Sequence, residues 1–211
     1  MEIIQKWLDI IFPSKCFYCQ KVGKVICDNC FQKLNDKYLF QKINHDWFDY
    51  VFCGSFYRDV LRTRIHSFKF HEQAYLYQYF IVLSLREKKI IEFLKEYDYI
   101  TYVPMHYQKE QKRGYNQSKL LALELGKRLN LKVVSVLEKR KPNRVQSSLS
   151  ERERIKNVRN IFSFQNTIDV KNKSIILVDD ILTTGATVRA CSKVLKEQGV
   201  QKICVFTISK T

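Results

Sequence analysis

The sequence predicts an α/β protein: a mostly parallel sheet flanked by helices, with a small cysteine-rich module at its N-terminal end. Short β-branched runs alternate with helical patterns through the second half, as in sheets whose strands are joined by crossover helices. One apolar strand pattern runs directly into two adjacent aspartates and a Thr/Gly turn. Near the beginning, four cysteines fall in two CxxC pairs.

A chain of 211 residues can bury one sizeable core and carry a small appended module. The boundary is expected after residue 42, giving a module over 1–42 and a main domain over 43–211. The formal charge of +16 points to polyanionic partners: nucleic acid, anionic membrane or phosphorylated small molecules. A lysine-rich solvated surface is the alternative. Glu2 and Asp9 interrupt the first apolar stretch, so no secretory signal is expected. With no apolar run of about eighteen residues, no transmembrane segment is expected either, and the protein reads as soluble and cytoplasmic. Seven cysteines, four of them tightly paired, suit a reducing compartment where thiols bind metal.

Ile3, Ile4, Trp7, Leu8, Ile11 and Phe12 recur at helical spacing until Pro13 stops the pattern. A strand is expected from Tyr50 to Tyr57, then a helix over Val60–Tyr79. Further strands are expected over Asp98–Pro104, Lys132–Leu137, Ser174–Val178 and Lys202–Ile208, with helices over Ser118–Leu129 and Val188–Gln198. The stretch from Glu138 to Asn160 holds eight Lys or Arg against three Glu. A polar loop of that length in a compact domain is usually functional or mobile.

Cys16/Cys19 and Cys27/Cys30 are separated by seven residues. Two such knuckles supply four thiolates for a tetrahedral, structural zinc with no open coordination position. So short a module buries no core, so the metal supplies its folding energy. Redox CxxC pairs or reduced core thiols are the alternative. Cys53, Cys191 and Cys204 are isolated on strand or helix patterns and read as buried core thiols.

The segment Ser174-Ile-Ile-Leu-Val-Asp179-Asp180-Ile-Leu-Thr183-Thr184-Gly185-Ala186-Thr187 is the most informative. Its strand delivers two carboxylates to the C-terminal edge of the sheet, where open α/β sheets bind ligands. Paired carboxylates there suit a ribose diol, directly or through Mg2+, whose preference is for hard oxygen ligands. The loop that follows combines hydroxyls, a permissive glycine and a helix N-terminus, which together favour a phosphate. A plain strand-to-helix turn with Thr187 as N-cap accounts for one threonine only. The six glycines form neither GxGxxG nor GxxxxGK[ST], which disfavours dinucleotide folds and P-loop kinases.

Val178-Asp179-Asp180-Ile-Leu-Thr183-Thr184-Gly185-Ala186-Thr187 resembles the phosphoribosyl pyrophosphate fingerprint of type I phosphoribosyltransferases. Val103-Pro104-Met105-His106, Arg113-Gly114-Tyr115-Asn116-Gln117, and Gln146, Leu149, Arg154, Asn157 and Phe162 resemble the ComF (ComFC) competence family, as does the paired CxxC module. The resemblance implies a type I phosphoribosyltransferase-like fold with an N-terminal zinc module. It also implies a role in natural transformation, handling incoming single-stranded DNA in the cytoplasm, with other competence proteins as further partners. Gln108 and Gln111 stand where family members commonly carry arginine, and Asn143 where a threonine is usual.

Ribose and 5-phosphate binding is thus expected at Asp179, Asp180, Thr183, Thr184, Gly185, Ala186 and Thr187, with Mg2+. Pyrophosphate is expected at the loop of Met105 and His106, with Lys109, Lys112 and Arg113 as counter-charges. His106 itself reads as a solvent-facing or capped residue, and the alternative for Arg113 to Gln117 is a helix start with Asn116 as its cap, which needs no ligand. The basic stretch resembles the loop that closes over such substrates, and its Lys139, Arg140, Lys141 and Arg144 are candidates for contact with DNA. Lys69-Phe70 falls where the family fold places its hood. A nucleotide-salvage phosphoribosyltransferase acting on a purine or pyrimidine base is the rival reading, and a DNA-binding module with an idle phosphate loop is another. The residues name no catalytic group and no acceptor, and they do not decide turnover.

Overall fold

The computed structural model describes residues 15–24, 26–32, 38–43, 47–55, 59–70, 73–140 and 161–211. The helix expected over Ile3–Phe12 lies outside them. The chain divides into two compact units, Met1–Lys37 and Tyr38–Thr211.

In the first unit Lys15 and Val22 form an antiparallel bridge. The Cys16 N–H donates to the Lys21 carbonyl at 2.8 Å, and the Gln20 N–H to the Cys16 carbonyl at 2.9 Å. The turn so closed is tight enough to hold Gln20 in the left-handed region, at φ 62°. A short helix, α1 (Asp28–Gln32), follows and carries Cys30.

The second unit is built on a six-stranded sheet. Its strands are β1 (Leu39–Lys42), β2 (Tyr50–Cys53), β3 (Tyr99–Tyr102), β4 (Lys132–Val133), β7 (Ser174–Leu182) and β8 (Lys202–Lys210), in the order β1-β2-β8-β7-β3-β4. Every neighbouring pair is parallel except the edge pair β1–β2. Residues 39–42, assigned from sequence to the cysteine module, form that edge strand, because Leu39–Lys42 pairs in register with Tyr50–Cys53. A separate antiparallel ribbon joins β5 (Leu137–Lys139) to β6 (Phe162–Phe164).

The helices are α2 (Asp59–Phe70), α3 (Leu76–Ser84), α4 (Lys88–Lys95), α5 (Tyr107–Arg113), α6 (Gln117–Leu129) and α7 (Ala186–Glu197). The single helix expected over Val60–Tyr79 is two, α2 and α3, and the strand expected over Lys132–Leu137 stops at Val133. Val134 still follows the sheet, donating its N–H to the Ile100 carbonyl at 2.8 Å, before the chain leaves for β5.

Ile175, Ile176, Leu177 and Val178 of β7 are fully buried, as a central parallel strand covered on both faces requires. Each such side chain contributes roughly 1.5–3 kcal/mol by leaving water. Leu121, Ala122 and Leu125 of α6 are likewise buried. Gly126 lets that helix close on the chain entering β4: a Cβ there would stand 2.8 Å from the Leu131 carbonyl oxygen and 2.6 Å from Val133 Cγ2. Cys53, Cys191 and Cys204 are core thiols, as expected from their strand and helix patterns. Among the described residues, no helix is long and apolar enough to cross a membrane.

Candidate functional site

Asp179 and Asp180 lie on β7 beyond the point where its neighbour β3 ends. β3 pairs up to Tyr102↔Val178, whereas β8 continues beside β7 through Asp179↔Thr207 to Leu182↔Lys210. The two carboxylates therefore stand at a sheet edge where β3 no longer pairs with β7 and the start of α6 comes alongside. Asn116 caps that helix: its Oδ1 accepts from the Lys119 N–H at 3.3 Å, and its Nδ2 donates to the Val103 carbonyl at 3.2 Å. This cap fixes the first turn of α6 against the end of β3, and Ser118 in that turn donates its hydroxyl to Asp179 Oδ1 at 2.9 Å.

Asp179 Oδ1 also accepts from the Asp180 N–H at 2.9 Å. Burial, with the Asp180 charge beside it, pushes the Asp179 carboxyl up to about 7. The hydrogen bonds and Lys69 pull the other way without cancelling it. Asp180 is paired instead: Lys69 Nζ, from the last turn of α2, lies 2.9 Å from its Oδ2, with both side chains largely out of solvent. Lys109 on α5 feels the same neighbourhood. Partial burial, Arg113 and Lys69 depress its ammonium pKa, while Asp180 raises it. Lys139 is held below the usual lysine range by burial and by Lys109, opposed by Cys191 and Asp179. Lys69 thus touches the carboxylate pair, Lys109 and Lys139 lie within its electrostatic reach, and Arg113 stands beside Lys109.

After β7 comes the exposed pair Thr183 and Thr184, and Gly185 in the left-handed region at φ 75° as N-cap of α7. The helix opens at Ala186, with Thr187 in its first turn and exposed. Thr184 Oγ1 accepts from the Ala186 N–H at 3.4 Å, and Arg189 Nη2 reaches back to the Thr184 carbonyl at 2.6 Å. A Cβ on Gly185 would stand 3.0 Å from Arg189 Nη1, so glycine serves both the backbone turn and the approach of this guanidinium. Hydroxyls, a helix N-terminus and an adjacent Arg form a surface complementary to a phosphate.

His106 differs from its expectation. It is buried, its side chain makes no cap for α5, and its Nδ1 has no hydrogen-bond partner among the described residues. It packs against the Tyr107 ring at 4.7 Å. The Arg113–Gln117 run turns the chain between two helices. Gly114 ends α5 at φ 82°, Arg113 Nη1 donates to Gln117 Oε1 at 2.8 Å, and the Tyr115 hydroxyl donates to the Phe68 carbonyl. Within the basic stretch, Lys139 belongs to β5 and Arg140 continues the ribbon by donating its N–H to the Ile161 carbonyl at 2.9 Å. Lys141 and Arg144 lie outside the described residues.

In the first unit the ligand atoms of Cys16, Cys19, Cys27 and Cys30 all lie within 4.8 Å of one another. Zinc–sulfur bonds of about 2.3 Å in a tetrahedron place the sulfurs about 3.8 Å apart. Cys19 and Cys27 stand at 3.6 Å, and the rest need close by no more than about an ångström, so the donor set fits such an ion. Burial raises the Cys16 thiol, but backbone N–H groups of Cys19, Cys27 and Tyr18 outweigh it and bring it down to about 6. A thiolate held by N–H donors in a turn is the form a metal requires.

Sequence reasoning did not find Lys69 as a partner of Asp180, Ser118 as a donor to Asp179, or Arg189 as a brace for the loop. Each acts across the fold or around a helical turn, and no local pattern marks it.

Residues 112–210 match the phosphoribosyl transferase domain family, and the class defined by fold and site is therefore a phosphoribosyltransferase-type domain carrying an N-terminal four-cysteine cluster. Among solved structures, the purine phosphoribosyltransferase from Pyrococcus horikoshii is similar over 58% of this chain and 78% of that one, at 16% identity and a TM-score of 0.37. The chain belongs to the competence protein F (ComF/ComFC) family. It is 31% identical to Competence protein F of Haemophilus influenzae over 96% of this chain and 93% of that protein. It is 27% identical to Competence protein ComFC of Streptococcus pneumoniae over 90% of this chain and 82% of that protein.

Proposed function

We propose that this chain binds phosphoribosyl pyrophosphate with Mg2+ at the β7–α7 edge and acts in natural transformation, handling incoming single-stranded DNA in the cytoplasm. The observation that carries the reading is the carboxylate pair standing next to a glycine-turned phosphate loop at an open sheet edge. In this assignment Asp179 and Asp180 hold the ribose hydroxyls, and Thr183 to Thr187 hold the 5-phosphate. Mg2+, when bound, would neutralise pyrophosphate charge, and the two aspartates are the hard oxygen donors it would take.

The chain's own residues would supply the rest. Lys109, Arg113 and Lys139 give counter-charge for a pyrophosphate beside the Met105–His106 loop. Ser118 would orient Asp179 through its hydrogen bond. A ligand hydroxyl reaching Asp180 must share or displace the Lys69 ammonium. The four cysteines would hold one structural zinc, with no position left for substrate.

The relatives named for competence support the transformation role, and the charge of +16 supports a polyanionic partner. The test has two arms. One incubates the protein with phosphoribosyl pyrophosphate, Mg2+ and a panel of free bases, and follows pyrophosphate release. The other measures binding of single strands at low salt. Binding of both ligands without rapid turnover of a free base supports the reading. Efficient nucleotide formation from one base, with no affinity for single strands, would make the protein a salvage enzyme instead.

A further inference from the structure

Helix α2 has two unlike faces. Leu61, Ile65 and Phe68 point into the core and are essentially inaccessible. Arg62, His66, Lys69 and Phe70 recur at helical spacing on another side, where Arg62, His66 and Phe70 are exposed. Phe70 is 60% exposed, an unusual state for a phenylalanine in the last turn of a helix that buries its neighbours. Its ring is held in place: His66 packs against it at 4.8 Å, and the Arg113 guanidinium lies 5.1 Å from its centroid. Arg113 is itself fixed by its hydrogen bond to Gln117.

Across α2 and α5 the charge is mainly positive. Within α2 the only acid is Asp59 at its start, against Arg62, Arg64 and Lys69; α5 adds Lys109, Lys112 and Arg113 against Glu110. An exposed phenylalanine ring among cations is poorly suited to an apolar protein groove. It suits a polyanion that carries its own aromatic faces. Single strands satisfy both requirements, because bases stack on a ring of any neighbour while arginines meet the phosphates.

We propose that the exposed side of α2 is a track for single-stranded nucleic acid, with Phe70 as its stacking platform, braced by Arg113, and Arg62 as its phosphate contact. The track ends at Lys69, whose ammonium touches Asp180, so a bound strand runs to the mouth of the phosphoribosyl site. This placement rests on the single-strand reading above and differs from it in naming the surface, on α2 and not on the 139–144 segment.

The test is fluorescence anisotropy of labelled oligothymidylate over a salt series, using wild type, Phe70→Ala, Phe70→Trp and Arg62→Ala. A 2-aminopurine strand reports stacking directly. Phe70→Ala should weaken binding by roughly five- to a hundredfold and abolish the 2-aminopurine quenching, while Phe70→Trp retains both. Arg62→Ala should lower the slope of log affinity against log salt by about 0.7. Both sites are exposed, and thermal melts matching wild type confirm that folding is intact. If Phe70→Ala and Arg62→Ala bind with wild-type affinity and slope, the track is refuted while the single-strand reading stands. If wild type binds no strand at low salt, both fall together.

Discussion

Replacing Asp179 by Asn should make the protein more stable at neutral pH. Asn keeps an Oδ1 acceptor for Ser118 and for the Asp180 N–H, so the replacement removes the charge and leaves the hydrogen bonds. The folded carboxyl sits at about 7 against an ordinary value of 3.8, so between these limits the folded state holds a proton the unfolded chain has released. Stability of the native protein from this group therefore falls as pH rises through that window and levels off above it. At about 1.36 kcal/mol per tenfold change in proton affinity, the displacement has a ceiling of about 4 kcal/mol. The group stands at an open sheet edge where solvent screens part of the effect, and about 2 kcal/mol is the expected gain for the variant. In thermal melts at pH 8 that is roughly 4–8 °C for a chain of this size. The gap should narrow at pH 5. A variant no more stable than wild type, or a gap equal at both pH values, would show that Asp179 is not a charge held against burial.

Zinc should copurify at about one equivalent per chain, and Cys27→Ser should unfold the cysteine module while the far-ultraviolet signal of the main sheet persists; metal-free protein from a chelator-free, reducing preparation would contradict this. Lys69→Met should strengthen binding of Mn2+ alone on the order of tenfold, because the ammonium no longer competes for Asp180, and electron paramagnetic resonance titration would detect it. Unchanged Mn2+ affinity would place the metal away from that carboxylate.

What was legible in the sequence was local. The Val133, Ile175 and Lys202 strand regions and the α6 and α7 helices follow from runs of apolar residues whose period matches their element, and the four cysteines announce themselves by spacing. Asn116 as the α6 cap was readable for the same reason, since a cap is made within three residues. Helix α5 was not. Its sequence Tyr-Gln-Lys-Glu-Gln-Lys-Arg buries no residue, so it leaves no hydrophobic period to detect. The break between α2 and α3 carries no Gly or Pro, and aromatic residues continue on both sides of it. At the site, the acidic pair and the phosphate loop are contiguous and could be read directly. Lys69 and Ser118 reach those aspartates from elements far away in sequence, and only the parallel order β8-β7-β3, with β3 ending early, brings them there. His106 was misjudged because burial of a loop residue depends on what packs over it.

The central claim, that the β7–α7 edge holds phosphoribosyl pyrophosphate, is tested most directly by calorimetric titration of that ligand with Mg2+ into wild type and the Asp179→Asn/Asp180→Asn double variant. Two hydrogen bonds to charged groups, each worth roughly 1.5–3 kcal/mol, predict a loss of about a hundredfold or more in affinity with the fold intact. Equal affinity in the two proteins would contradict the assignment and place the ribose elsewhere.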